Sequence, residues 1–134
     1  IFEALDKVPN AAESCCGFFA SQRPHIPADF TDRFVQITND SFGIVEDLST
    51  AVKGFFHPKG KVASIREHVK AVGVKETLVD GQEWDLTVAI FEAPNLDLAQ
   101  KMHLKRALDR IVHIPDRAED AAEMLSVVAM KSVL

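Results

Sequence analysis

The chain has 134 residues, 47% hydrophobic and 26% charged, with six Gly, six Pro and no Tyr, which fits one compact domain whose core needs no disulfide staples. Twenty acidic residues against fifteen basic ones leave a net charge of −5, so no positive excess is available for a phosphate backbone and sequence-independent nucleic-acid binding is excluded. The longest apolar stretches, such as Val127 to Met130, fall far short of the ~20 residues of a spanning helix; the expected protein is peripheral to a membrane at most.

The chain opens with Ile1-Phe2-Glu3-Ala4-Leu5, without Met and already in helical phase, which suggests that the start of a longer protein is missing. No charged segment followed by an apolar one marks a secretory signal. Leu5, Val8, Ala12, Cys15 and Phe19 recur at helical spacing and predict a helix over residues 2 to 21. Cys15 and Cys16 are adjacent, about 100° apart on that helix, and cannot easily bridge each other. With no cysteine framework elsewhere, a reducing, cytoplasmic setting is expected.

Proline-containing breakers at residues 23–27, 56–60 and 92–95 divide the remainder of the chain into three segments. In the first, Phe30, Phe34, Ile37, Ser41, Ile44, Leu48, Ala51 and Phe55 alternate by four and three, which predicts one long helix over residues 29 to 56 with a coiled-coil-like seam. The second continues the rhythm through Val62, Ile65, Val69, Val72, Glu76, Val79, Glu83, Leu86 and Ile90, predicting a helix over 60 to 92. Asp80-Gly81 weakens that segment, because Gly costs about 1 kcal/mol in a helix interior; the seam nevertheless keeps phase across it, so one helix is expected. The third places Leu104, Leu108, Ile111, Pro115, Ala118, Ala122, Leu125 and Ala129 on one face of a helix over 96 to 132, with Asn95 as its cap and a kink at Pro115. No alternating β-branched run appears. The expected fold is all-α, an antiparallel three-helix bundle over residues 23–134 with one further helix, residues 1–22.

That first helix has a counterpart. Ala4-Leu5-Asp6-Lys7-Val8 matches Ala107-Leu108-Asp109-Arg110-Ile111, and the same offset of 103 residues lays Glu13 over Asp116. The offset equals a three-helix unit, so residues 1–22 read as the closing helix of a preceding copy.

The chemistry lies in the acids. Asp109, His113, Asp116, Asp120 and Glu123 step by four, three, four and three along one face of the last helix, where like charges repel by a few tenths of a kcal/mol per pair. Such a face is either solvated or neutralised by a cation. Glu76 and Glu83 sit on the seam of the preceding helix, with Asp80 one turn from Glu76, and a carboxylate on a packed seam must be paired, protonated or metal-bound. Carboxylates with one imidazole suit iron, zinc, manganese or magnesium. Glu83 has another option, a Lys or Arg from a neighbour. His25 and His57, in proline-containing turns, and His68 and His103, on helices away from the ladder, read as surface residues. Trp84 reads as core. No nucleophile motif frames Ser14, Cys15 or Cys16, and the glycines match no phosphate loop.

The run from Leu108 to Leu125 (LDRIVHIPDRAEDAAEML) resembles the signature helix of PhoU-like phosphate-transport regulators, nearest to the branch associated with low-affinity inorganic phosphate transporters. Glu76-Thr77-Leu78-Val79-Asp80, with Phe91 eleven residues after Asp80, is similar to that family's other acidic motif. The resemblance spans residues 30 to 134 as one repeat, with residues 1 to 22 similar to the closing helix of the one before. It implies a non-enzymatic regulatory or accessory protein of phosphate transport that engages a membrane transporter or signalling protein, in tandem repeats and with a homo-oligomer among the possibilities. It also implies metal ligation by Glu76, Asp80, Asp116 and Asp120, with His113 standing where relatives usually carry an acid. Gly17 occupies the place of Asp120 in the earlier repeat, which leaves that copy without a full motif. Two rival readings stand beside this one. A carboxylate-bridged enzyme of ferritin-like type would need Glu-x-x-His on two helices, yet the residue three before His113 is Arg110. A purely structural bundle with a solvated acidic face needs nothing further.

Overall fold

The computed structural model describes residues 1–57 and 59–132. They form four helices, α1 (Phe2–Gln22), α2 (Ala28–Phe56), α3 (Val62–Glu92) and α4 (Leu98–Lys131), and no strand. The three-four rhythm is followed closely: Phe30, Phe34, Ile37, Ser41, Ile44, Leu48 and Ala51 of α2 are all buried, as are Ile65, Val72, Glu76, Val79, Leu86 and Ile90 of α3. Ser41 is tolerated there because its hydroxyl donates to the Ile37 carbonyl at 2.7 Å.

Cross-helix pairs fix the directions. Lys75 meets Asp47 at 2.6 Å and Gln82 donates to Asp40 at 2.7 Å, so α3 runs antiparallel to α2. Lys105 meets Glu83 while Asp116 lies beside Glu76, so α4 runs antiparallel to α3. Arg110 donates to Ser14 and His103 pairs with Gln22 at 3.2 Å, so α1 runs antiparallel to α4. Helices α2, α3 and α4 pack against one another, while α1 docks mainly on α4 and meets α2 where the Phe2 ring stacks on that of Phe56 at 6.3 Å.

That central position explains why α4 buries more than its seam. Ala107, Val112, Ile114 and Ala121 join Leu104, Leu108, Ile111 and Leu125 inside, because neighbours approach α4 from three sides. Five buried alanines, Ala107, Ala118, Ala121, Ala122 and Ala129, let those neighbours come close. Pro115 is fully buried within the same helix and does not end it. Gly81 also leaves α3 unbroken, on a face where an added Cβ would meet nothing within 4 Å.

Two local expectations need correction. Asn95 lies in the turn before α4, and the cap is Asp97: its carboxylate accepts from the Gln100 N–H at 2.8 Å while the Gln100 side chain accepts from the Asp97 N–H at 2.9 Å. This capping box satisfies two backbone donors reciprocally, which a single Asn cannot do. Trp84 is not core but 72% exposed. It stands one position from seam residue Glu83 and two from fully buried Leu86, about 200° from the latter around the helix. At the α2–α3 turn, a Cβ on Gly60 would collide with the Gly54 carbonyl oxygen, so this close approach requires glycine.

Candidate metal centre

The α3–α4 interface brings Glu76, Asp80 and Asp116 together. One carboxylate oxygen from each lies within 4.8 Å of the other two. Glu76 is there because the seam of α3 turns it inward, to 7% exposure. Asp80 follows one turn later at the rim, and Asp116 projects from the second turn after Leu108 on α4, half-buried. Among the described residues no Lys, Arg or His nitrogen lies within 4.0 Å of these three carboxylates.

The cost shows in their protonation. Glu76 is pushed up to about 8, first by burial, then by a hydrogen bond shared with Asp80 and by the charges of Glu119, Asp80 and Asp116. Asp116 is raised by burial and then by Asp80 and Glu83, with His113 and Arg117 opposing. Glu119 is raised as well, by burial and by Glu123 and Asp80, against a hydrogen bond with Glu76. Buried carboxylates that crowd one another disfavour their charged forms, and here the crowding raises Glu76, Asp116 and Glu119 together.

Of the five residues expected to ligate, the structure gathers three. His113 and Asp120 are exposed and held by Arg117, which donates to the imidazole at 3.3 Å and to Asp120 at 3.1 Å. Asp109, another member of the ladder, pairs with Lys105 at 2.7 Å. The same Lys105 pairs with Glu83 at 3.0 Å, so one seam carboxylate took a neighbour's cation and the other, Glu76, did not. Glu119 is the residue sequence reasoning passed over: it lies three positions after Asp116, the other helical spacing, and it contacts Glu76.

Three carboxylates with converging oxygens fit a hard or borderline divalent ion, magnesium, manganese, iron or zinc, with coordination positions left for water or an oxyanion. Among the described residues the remaining histidines build no second cluster. His25 and His57 are exposed, while His103 is half-buried with its ring 5.6 Å from that of Phe18. Cys15 and Cys16 are both free thiols.

In comparison with known proteins, the chain is 25% identical over 136 residues to a UPF0111 protein of Pyrococcus horikoshii, covering 96% of this chain and 59% of that protein. It is 28% identical over 131 residues to a UPF0111 protein of Thermotoga maritima, covering 98% of this chain and 60% of that one. The chain thus spans about three fifths of the length of these relatives. No family model and no solved structure matches it.

Proposed function

We propose that this chain is the metal-binding helical part of a regulatory or accessory protein of inorganic phosphate transport, one that engages a membrane transporter or signalling partner and carries out no catalytic step. The observation that carries the metal is Glu76: a seam carboxylate at 7% exposure, crowded by Asp80 and Asp116 and, among the described residues, in no ion pair. A divalent ion at these oxygens would exchange mutual repulsion for shared attraction and fix α3 against α4. The transport role rests on the likeness of the two acidic motifs to PhoU-like regulators. Cytoplasmic placement and the tandem-repeat reading of residues 1–22 belong to the same proposal.

Elemental analysis of protein purified without chelator tests the site. The expected result is near-stoichiometric iron, zinc, manganese or magnesium, retained after gel filtration and lost in Asp116→Asn. Metal-free protein that takes up none of these on titration refutes it. Phosphate uptake by cells producing the wild-type or the Asp116→Asn protein at equal levels tests the role, which predicts altered uptake in the variant.

A structural bundle is the rival that the structure gives some support, because Asp109 and Asp120 are ion-paired at the surface. It does not account for Glu76. Oxygen or peroxide turnover after iron loading would point instead to a ferritin-like enzyme.

A further inference from the structure

The longest stretch of the chain without an acid runs from Leu48 to Arg66 and carries Lys53, Lys59, Lys61 and Arg66, while eleven basic and twenty acidic residues lie outside it. The fold gathers this stretch at one end of the bundle, where the α2–α3 turn meets the start of α1 and the last turns of α4. Within two helical turns of that end stand six cations, Lys7, Lys53, Lys59, Lys61, Arg66 and Lys131, against three acids, Glu3, Asp6 and Glu67. Lys53, Lys59, Lys61 and Arg66 are all exposed, and among the described residues none of them is in an ion pair. The carboxylates of the α3–α4 interface do not offset them. Along α3, Glu76 stands about 15 Å from Arg66, beyond the ~10 Å over which a charge is felt in 0.1 M salt.

The same end holds aromatic rings open to water. Phe2 and Phe56 are 68% and 56% exposed; their rings stack at 6.3 Å, and the Phe55 ring meets that of Phe56 edge-on at 5.0 Å. Between α2 and α3 a cleft of about 290 Å³ opens beside them, with Lys53, His57, Ser64 and His68 in its lining and no carboxylate. The Nδ1 of His57 accepts from the Lys59 N–H at 3.1 Å, so the neutral ring carries its proton on Nε2 and can donate it to a phosphate oxygen. Exposed phenyl rings among lysines need an apolar layer next to anionic groups. An anionic bilayer supplies both at neighbouring depths, phosphates outermost and acyl chains beneath.

We propose that this end of the bundle docks on an anionic lipid bilayer, with Phe2, Phe55 and Phe56 in the headgroup layer and Lys53, Lys59, Lys61 and Arg66 against the lipid phosphates. The acidic remainder of the chain is repelled by the same surface, so the bundle stands on this tip.

Co-sedimentation of the whole chain with phosphatidylcholine vesicles, with and without phosphatidylglycerol, tests this, with chelator present throughout so that the outcome is separate from that of the metal site. The expected result is binding to the anionic vesicles alone, weakening as salt rises. Each cation near such a surface is worth about fivefold in affinity. Lys59→Gln with Lys61→Gln should therefore weaken binding roughly twentyfold with helicity unchanged by circular dichroism. Arg33→Gln with Arg106→Gln removes the same charge from exposed positions at the other end of the bundle and should change binding less than about twofold. Phe56→Ser should weaken it about fivefold and leave its salt dependence unaltered. A chain that does not bind anionic vesicles overturns the proposal and leaves the tip to an acidic protein surface. So do equal losses in the two double variants, indifference to Phe56→Ser, or displacement by inorganic phosphate at constant ionic strength, which would make the cleft a site for the free ion.

Discussion

Replacing Glu76 by Gln keeps the volume and the hydrogen-bonding atoms of the side chain and removes only the charge that the α3–α4 interface resists. In the folded protein Glu76 holds its proton to about pH 8, against a usual value of 4.5. Below 4.5 both folded and unfolded chains are protonated there and the residue adds no pH dependence. Between 4.5 and 8 only the folded state keeps the proton, so stability falls as pH rises and levels off above 8. Carried by one group, the loss would reach about 5 kcal/mol; shared with Asp80, Asp116 and Glu119, about 2 to 4 kcal/mol is the working figure. Glu76→Gln should therefore match wild type at pH 5 in metal-free buffer and exceed it by about 2 to 4 kcal/mol at pH 9, roughly 6 to 14 °C in melting temperature for a chain of this size. The assay is thermal unfolding by circular dichroism at both pH values with chelator present. A difference that does not change with pH, or a variant less stable at pH 9, would refute the picture of a strained carboxylate cluster.

Three further outcomes are expected from the same geometry. Manganese or zinc at a hundredfold excess over its dissociation constant should raise wild-type stability by about 2.7 kcal/mol; Asp116→Asn should abolish that gain, whereas Asp120→Asn, which only releases Arg117, should retain it, as read by melting with and without metal. Asp97→Ala removes one half of the capping box and should cost about 1 kcal/mol in urea unfolding, with Asn95→Ala near neutral. Leu86→Ala should cost about 2 to 5 kcal/mol and the neighbouring Trp84→Lys less than about 0.5 kcal/mol; comparable losses at the two positions would contradict the phase assigned to α3.

The helices were legible because their seams are narrow and their breakers sharp. In α2 the seam of apolar and small residues runs unbroken from Phe30 to Phe55, and all of it but half-buried Phe55 is inside. Capping was legible too, but by a stricter rule than the first suitable residue: Asn95 and Asp97 both precede an apolar run, and only Asp97 has Gln three positions on. Trp84 shows where residue type misleads. A large aromatic ring is a poor guide to burial when the neighbouring seam fixes the helix's rotation, and Leu86 had already fixed it. That α1 docks mainly on α4 could not be read at all, because a stripe pattern tells which residues want cover and not which neighbour arrives.

The acidic site was half legible for a related reason. On α4, Asp116 is followed by Glu119 at three residues and Asp120 at four, and both spacings keep a side chain near Asp116. Which of them turns toward α3 depends on the rotation of α4, and that is set by three packing partners rather than one. The grouping of Asp116 with Glu76 and Asp80 shows α4 turned so that Glu119 comes to Glu76 and Asp120 is left to Arg117. Glu76 needed no such knowledge. A carboxylate on an apolar seam is anomalous in any rotation that buries the seam, so the one residue on which the metal reading most depends is also the one whose position the sequence alone could predict.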